Sequence, residues 1–162
     1  MVGLPAPPAS GATDPGTWAW PVAGPVIGAY DPPDSPFGSG HRGIDVAAAI
    51  GTIVVAPADG TVSFAGPVGR RRFVTIDHGD GLRSTVSFVE ALQVRTGDVV
   101  TRGQSIASSG TGHTGSTIPH VHFGVRIGEI YQDPLVYLAT PSATAFIRLA
   151  PWDEPAPSPF AA

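Results

Sequence analysis

The sequence contains no cysteine and no lysine, and all nine of its Lys/Arg-type basic residues are arginine. The lack of cysteine excludes thiolate zinc sites, disulfide scaffolds and cysteine nucleophiles. The lack of lysine excludes Schiff-base chemistry and lysine-linked cofactors. Charged residues make up only 14% of the chain and the net charge is -4, so we expect no binding to nucleic acid. No apolar run approaches the length of a membrane span, and we expect no membrane insertion.

Glycine and proline are abundant in the 162 residues, with 21 and 18 copies, and this favours turns and short strands over long helices. Short apolar or alternating runs separated by glycine turns predict an all-β sandwich or barrel with little helix. A run of three adjacent arginines at 70–72 is typical of a solvated hairpin tip. The predicted strands lie at 53–56, 60–66, 73–76, 82–89, 98–100, 104–107 and 120–126.

The two ends of the chain differ in composition from its middle. Residues 1–17 are rich in proline, alanine and glycine and predict a flexible leader, and the 31–40 segment predicts a loop. We expect one domain over residues 18–139, followed by a C-terminal extension at 140–162 with an apolar patch at 146–149 and a loose tail. The first ten residues lack the basic and apolar segments of a signal peptide, which leaves a cytoplasmic protein or a trimmed mature chain as alternatives.

The motif HVHF carries two histidines, His120 and His122, at the spacing of one strand face. Val121 and Phe123 then point to the opposite face, where apolar packing can anchor the strand. On its own, an HxH pair is more often structural than metal-binding. Cupins also use this motif but need a glutamate about four residues later, and Glu129 comes too late.

The motif HRGID carries His41 and Asp45, and Gly43 favours a loop that runs into a strand over a helix. Two imidazoles and one carboxylate form the donor set of a catalytic zinc centre with an open position. Such a centre is suited to the hydrolysis of an amide or ester. His78 ends a predicted strand, and we expect it to bond to its own turn rather than to serve as a ligand.

The order of HRGID, PADGTV, VTIDHGDG, TGDVVTRGQSIASSG, PHVHFGVR and DPLVYL resembles the lysostaphin-like (LytM-type) zinc metallopeptidases, over about residues 18–138. These enzymes cut peptides of bacterial peptidoglycan. The resemblance implies a compact antiparallel β sandwich with an open groove, Zn²⁺ as the cofactor and a peptidoglycan peptide as the substrate. It also implies export, to the outside of the cell or the cell envelope, with a signal segment removed.

Carried over by position, the resemblance implies that His41, Asp45 and His122 bind zinc and that His120 is a catalytic histidine. One departure concerns the second catalytic histidine, which such enzymes carry in a TxYxHL-like segment. The corresponding segment here reads STVSFVEAL and holds no histidine, and Phe88 falls near the missing position. Glu90 and His113 are the candidate catalytic substitutes.

Two functions therefore compete. The first is a zinc-dependent endopeptidase that acts on cell-wall peptides. The second is a catalytically weak or inactive zinc-holding domain that binds peptidoglycan or regulates a partner hydrolase, which the absent histidine favours. A third, a biotinyl or lipoyl carrier domain, shares segments such as GDVVTRGQSIA but needs a lysine, which this chain lacks.

Overall fold

The computed structural model describes residues 14–35 and 38–140 of the chain. The predicted apolar patch at 146–149 lies outside the described residues. The described part begins four residues before Trp18, and the backbone N–H of Gly16 donates a hydrogen bond to the carbonyl of Val136. No helix in this part of the chain is long and apolar enough to cross a membrane.

The described residues form ten strands and one short 3₁₀ helix, and every strand pair is antiparallel. The strands are β1 (Val26–Gly28), β2 (Ile44–Ala47), β3 (Ile53–Val55), β4 (Gly60–Val68), β5 (Arg71–Asp77), β6 (Leu82–Leu92), β7 (Val99–Val100), β8 (Ser105–Ser109), β9 (His120–Ile127) and β10 (Ile130–Gln132), and the helix is Pro134–Val136. The predicted all-β class with little helix is confirmed.

Neighbouring strands follow the order β1-β2-β9-β6-β5-β4-β7, with β10 beside the end of β9. Strand β6 is long enough to have three partners, since it pairs with β5 and β9 and its end pairs with β8. Strand β8 also pairs with β3. Buried residues of β3 and β8, such as Val54 and Ile106, belong to the same hydrophobic core as Val86 of β6 and Phe123 of β9.

The faces of β9 separate core from cleft. Val121, Phe123 and Val125 are buried in the hydrophobic core. Because side chains alternate along a strand, His120 and His122 share the other face, as the sequence predicts. Each fully buried apolar side chain contributes about 1.5–3 kcal/mol to folding. The packing behind β9 therefore holds the two histidines in place.

Each predicted strand is present, with ends that differ by a few residues, whereas β1 and β10 were not predicted. Both have only three residues and no buried side chain, so neither carries a hydrophobic pattern. The predicted loop at 31–40 is closed at its base by two backbone hydrogen bonds between Asp31 and His41. The arginine run lies at the β4–β5 turn, as predicted, but Arg71 turns back over the ring of Phe88.

Candidate metal centre

Strands β2 and β9 bring the two sequence motifs together. Asp45 of β2 lies directly opposite His122 of β9, and Ala47 lies opposite His120. Residues directly opposite in an antiparallel pair have Cβ atoms about 4.5–5.5 Å apart and share one face of the sheet. Strand pairing therefore fixes the carboxylate beside the imidazole, although the two residues are far apart in sequence.

His41 reaches the same place from the loop before β2. Its Nδ1 lies 2.6 Å from the carbonyl oxygen of Ala29, and since a carbonyl only accepts, Nδ1 carries the proton. The other ring nitrogen, Nε2, is then directed to the site. Gly43 lets the end of this loop lie close to β9, because a Cβ there would lie 2.3 Å from the carbonyl oxygen of Phe123.

Three donor atoms form a small triangle. Nε2 of His41 lies 3.2 Å from Oδ1 of Asp45 and 3.0 Å from Nδ1 of His122, and the remaining side of the triangle is 2.9 Å. Zinc ligands at about 2.0–2.1 Å and tetrahedral angles lie about 3.3 Å from one another. The triangle is thus close to one face of a zinc tetrahedron, and these residue types fit that ion.

The carboxyl group of Asp45 is stabilised as an anion by its neighbours. Burial raises its pKa, but the hydrogen bond with His122 and the charges of His41, His122 and His113 together hold that pKa below its ordinary value. Asp45 is therefore ionised at neutral pH, which is the state in which a carboxylate binds a metal.

His113 is the fourth side chain at the site. Its Nε2 lies 3.5 Å from Oδ2 of Asp45, and one ligand atom from each of His41, Asp45, His113 and His122 lies within 4.8 Å of all the others. We call these four residues the cluster. Burial lowers the pKa of His113, Asp45 opposes this effect, and the electrostatic influence of His120, His122 and Arg71 lowers the pKa further. Its imidazole is therefore biased toward the neutral form.

His120 is buried beside the cluster, and both of its ring nitrogens have partners. Nδ1 donates to the carbonyl of Ile118 at 2.8 Å, and Nε2 accepts from the backbone N–H of His113 at 3.2 Å. Nε2 also lies 3.9 Å from Oδ2 of Asp45. A Cβ at Gly112 would lie 2.5 Å from the ring of His120, so only glycine lets the loop pass there.

Phe88 faces the cluster from an irregular point in β6. Arg72 pairs with Val89 while Phe73 pairs with Ser87, so Phe88 is the extra residue of a β-bulge. Its φ of 63° lies in the left-handed region, which costs a residue with a large side chain about 1–3 kcal/mol.

The bulge directs the ring of Phe88 into the site. The ring centroid lies 4.4 Å from that of His113, 5.6 Å from that of His120 and 6.4 Å from that of His122. Position 88 is therefore in contact with the candidate centre, but its side chain carries no proton that it could transfer.

Two further predicted residues lie elsewhere. Glu90 is exposed beyond the bulge, and among the described residues its carboxylate is not part of the cluster, whereas His113 is. His78 is buried away from the cluster. Its Nδ1 donates to the carbonyl of Asp59 at 2.7 Å and its Nε2 accepts from the hydroxyl of Ser84 at 2.8 Å. It thus bridges a neighbouring loop and β6 in addition to its own turn.

An open cleft of about 560 Å³ extends from the cluster across the sheet face. The sequence predictions did not include the arginines of this cleft or Tyr131. The available signals were the two-residue alternation that puts Arg126 on the face of His122 and the position of Arg42 inside HRGID. The lining residues are Arg42, Arg71, Phe73, Thr85, Ser87, Phe88, His113, His122, Gly124, Val125, Arg126 and Tyr131.

Comparison with known proteins identifies relatives of this fold and site. The sequence profile of Peptidase family M23 matches residues 39–134, which is more than half of the chain. This range contains every residue of the cluster, together with Phe88 and His120. The match supports the resemblance noted in the sequence.

Three similar proteins illustrate the range of functions among the relatives. The chain is 39% identical to "Lipoprotein NlpD/LppB homolog" of Pseudomonas aeruginosa over 81% of its length, and 34% identical to "Murein hydrolase activator NlpD" of Escherichia coli over 75%. It spans only 45% and 31% of these two proteins. The catalytic domain of the antimicrobial peptidase lysostaphin from Staphylococcus simulans superposes with a TM-score of 0.57 at 30% identity, covering 66% of this chain and 86% of that one.

Proposed function

Because the chain belongs to peptidase family M23, we propose that it is a zinc-dependent metalloendopeptidase that hydrolyses peptide bonds in bacterial cell-wall peptidoglycan. The triangle formed by His41, Asp45 and His122 is the observation that carries this proposal. The names of two relatives, a murein hydrolase activator and the peptidase lysostaphin, support the assignment of the substrate. Such a protein acts outside the cytoplasm, in the cell envelope or after secretion.

His41, Asp45 and His122 hold the metal in this proposal. A zinc ion held by these three residues would supply Lewis-acid polarisation of a carbonyl and, at neutral pH, a nucleophile derived from water. The carbonyl of Ala29 fixes the tautomer of His41, so that Nε2 is the ligand atom. The hydrogen bond and charges around Asp45 keep its carboxylate ionised.

His120 and His113 handle the protons. The Nε2 atoms of both imidazoles lie within 4 Å of Oδ2 of Asp45, at 3.9 and 3.5 Å, so both are close to the reacting groups. We assign to His120 the base or transition-state donor role of the HxH motif. We assign to His113 the role of the second imidazole, which Phe88 cannot fill. Glu90 is the weaker substitute, because it is exposed and outside the cluster.

The second candidate is a zinc-holding domain without turnover that binds peptidoglycan or activates a partner hydrolase. Phe88 favours it, since its ring occupies a strained position against three histidines and cannot transfer a proton. The relative named as a murein hydrolase activator also favours it. Loss of one donor to a developing oxyanion reduces turnover by about 10²–10³, which weakens an enzyme without removing its metal.

Digestion of purified peptidoglycan by zinc-loaded wild-type protein and by His120→Ala tests the first candidate. We expect the wild type to release soluble fragments. The rate of the variant should be about 10²–10⁴-fold lower, which is the usual contribution of a general acid or base. Zinc content, measured by mass spectrometry, stays near one ion per chain in both proteins. His120→Gln keeps a polar side chain and controls for folding. Equal digestion by both proteins contradicts catalysis at this site.

Phe88→His separates the two candidates. If His113 already supplies the second imidazole, the variant changes the rate by less than about tenfold. If the wild type is an inactive module, it leaves peptidoglycan intact and increases the rate of an added cell-wall hydrolase. In that case only the Phe88→His variant shows measurable turnover of its own. Digestion by the protein alone and stimulation of the added hydrolase are both measured as fragment release, and zinc content is the common control.

A further inference from the structure

The cleft beside the cluster is strongly basic in a chain of net charge -4. Three of the nine arginines in the sequence, Arg42, Arg71 and Arg126, line it. Among the described residues that line the cleft there is no aspartate or glutamate. A cleft with one sign of charge concentrates ligands of the opposite sign, here anionic ones.

The arginines lie at both ends of the cleft. Arg71 is at the end near the cluster, where its guanidinium lies 4.7 Å from the ring centroid of Phe88. Arg126 follows His122 by four residues on the same face of β9, which is about 13 Å along a strand. This distance corresponds to about four residues of an extended peptide.

Arg42 also lies at the far end. Its guanidinium carbon is 5.9 Å from the ring centroid of Tyr131, and Tyr131 is the β10 residue that pairs with Arg126. One guanidinium group therefore lies beside this tyrosine, and a second arginine is its cross-strand partner. Arginine presents a planar fork of N–H donors that matches a carboxylate.

The floor of the cleft suits a peptide backbone. Thr85 and Ser87 of β6 line the floor with hydroxyl groups, of which that of Thr85 already pairs with Thr75 at 2.9 Å, and Gly124 lies between the two ends on β9. Gly124 also lets the backbone of Arg42 lie close to β9, because a Cβ there would lie 3.2 Å from the carbonyl oxygen of Arg42. The ion-pair partner of Arg126 within the protein is Glu129, at 3.7 Å with its side chain 90% exposed. So exposed a pair is weak, and a ligand can displace it.

We infer that this cleft binds an extended peptide that carries carboxylate groups, with Arg126 and Arg42 pairing a carboxylate at the far end and Arg71 a second one near the cluster. This inference rests on the proposed function only for the identification of the ligand as a cell-wall peptide. It distinguishes acidic cell-wall peptides from neutral ones such as glycine bridges, which offer the arginines no anionic partner.

Peptide binding rather than cleavage tests the inference, so its outcome is independent of turnover. The probes are the synthetic peptide acetyl-Glu-Ala-Ala-Ala with free carboxylates and its neutral counterpart acetyl-Gln-Ala-Ala-Ala amide, titrated calorimetrically into the full chain. Each titration is done with zinc-loaded and with chelator-treated protein, because a carboxylate can also bind the metal directly. We expect the acidic peptide to bind at least about tenfold more tightly in both states, the effect of one charge-assisted hydrogen-bond pair.

Arg126→Gln and Arg71→Gln are the test variants, and Arg95→Gln, an exposed arginine outside the cleft, is the matched control. Each test variant should weaken the acidic peptide about tenfold and leave the neutral peptide unchanged, and the control should change neither. Equal affinity for the two peptides overturns the inference. So does a preference for the acidic peptide that disappears when the zinc is removed. Failure of the proposed function appears instead as absent peptidoglycan digestion while this preference persists.

Discussion

The two halves of the candidate site are built in different ways. Asp45 and His122 are direct partners on hydrogen-bonded strands, and the core residue Phe123 packs behind them. His113 comes instead from the loop between β8 and β9, and its side chain is 41% exposed. Its ring rests on Phe88, which lies in a β-bulge.

This difference separates the strand-borne pair Asp45 and His122 from the loop-borne His113. Strand pairing and a packed core fix Asp45 and His122, whereas the loop that carries His113 has fewer buried contacts and belongs to the less stable end of a structure. We therefore expect changes in the loop half to reduce turnover and leave zinc bound. Changes at Asp45, at His122 or in the core behind them should remove zinc or unfold the protein. The following experiments test this separation.

Phe123→Ala should have the largest effect, because it removes a fully buried ring behind the ligand strand. Such truncations cost about 3–5 kcal/mol of unfolding free energy. Urea unfolding of metal-free protein measures the change. Ile130→Ala, at a side chain that is 70% exposed on β10, is the matched control and should change stability by less than about 0.5 kcal/mol. Similar losses for both variants contradict the role of the core in holding β9.

Asp45→Asn should remove zinc while the fold persists. The substitution keeps the size of the side chain and replaces an anionic ligand that lies between two imidazoles. We expect zinc affinity, measured by competition with a chromogenic chelator, to fall by more than the roughly 100-fold typical of losing a residue that only orients a ligand. Asp80→Asn, at a turn where asparagine is tolerated, is the control. Full zinc occupancy in Asp45→Asn refutes the ligand assignment.

His113→Ala should sharpen the comparison. If His113 transfers protons, peptidoglycan hydrolysis falls by about 10²–10⁴-fold and zinc affinity changes little. Thr114→Ala, in the same loop, controls for loop damage. A fall in zinc affinity as large as that of Asp45→Asn would instead make His113 a fourth ligand. The centre would then be closed, as structural zinc sites are.

His78 should give the smallest effect, seen in the pH dependence of stability. Burial lowers its pKa, opposed by the hydrogen bond to Asp59 and by the charges of Asp77 and Asp59. Because the unfolded chain binds the proton more readily, stability is full above about pH 6.5 and decreases as the pH falls toward the folded-state pKa. Each pKa unit of difference between the unfolded and folded states corresponds to about 1.4 kcal/mol of unfolding free energy.

His78→Asn retains a donor for the carbonyl of Asp59 and removes the titrating ring. We therefore expect the unfolding free energy of the metal-free variant to fall less than that of the metal-free wild type between pH 7.5 and about pH 5. Urea unfolding measures both. The variant is less stable at pH 7.5, because Ser84 loses its acceptor. Parallel pH profiles for the two proteins contradict this assignment of acid sensitivity to His78.

Local pattern was sufficient for several features of this protein. The alternation of HVHF predicts that His120 and His122 share one face of a strand with a buried other face, and β9 has this arrangement. The glycine-punctuated apolar runs predict an all-β fold, which is confirmed. The strands that local pattern missed, β1 and β10, bury no side chain and so leave no periodic signal.

The amino-acid sequence by itself thus determined the strand faces, the donor types and the family resemblance, since these depend on residue identity and short spacings. Tertiary structure alone decided that His113, rather than Glu90, joins the cluster and that three arginines converge on one cleft. The physical reason is that these side-chain contacts depend on strand register, on one β-bulge and on the path of a loop. Such features are fixed by packing between residues far apart in the chain, which leaves no trace in any short stretch of sequence.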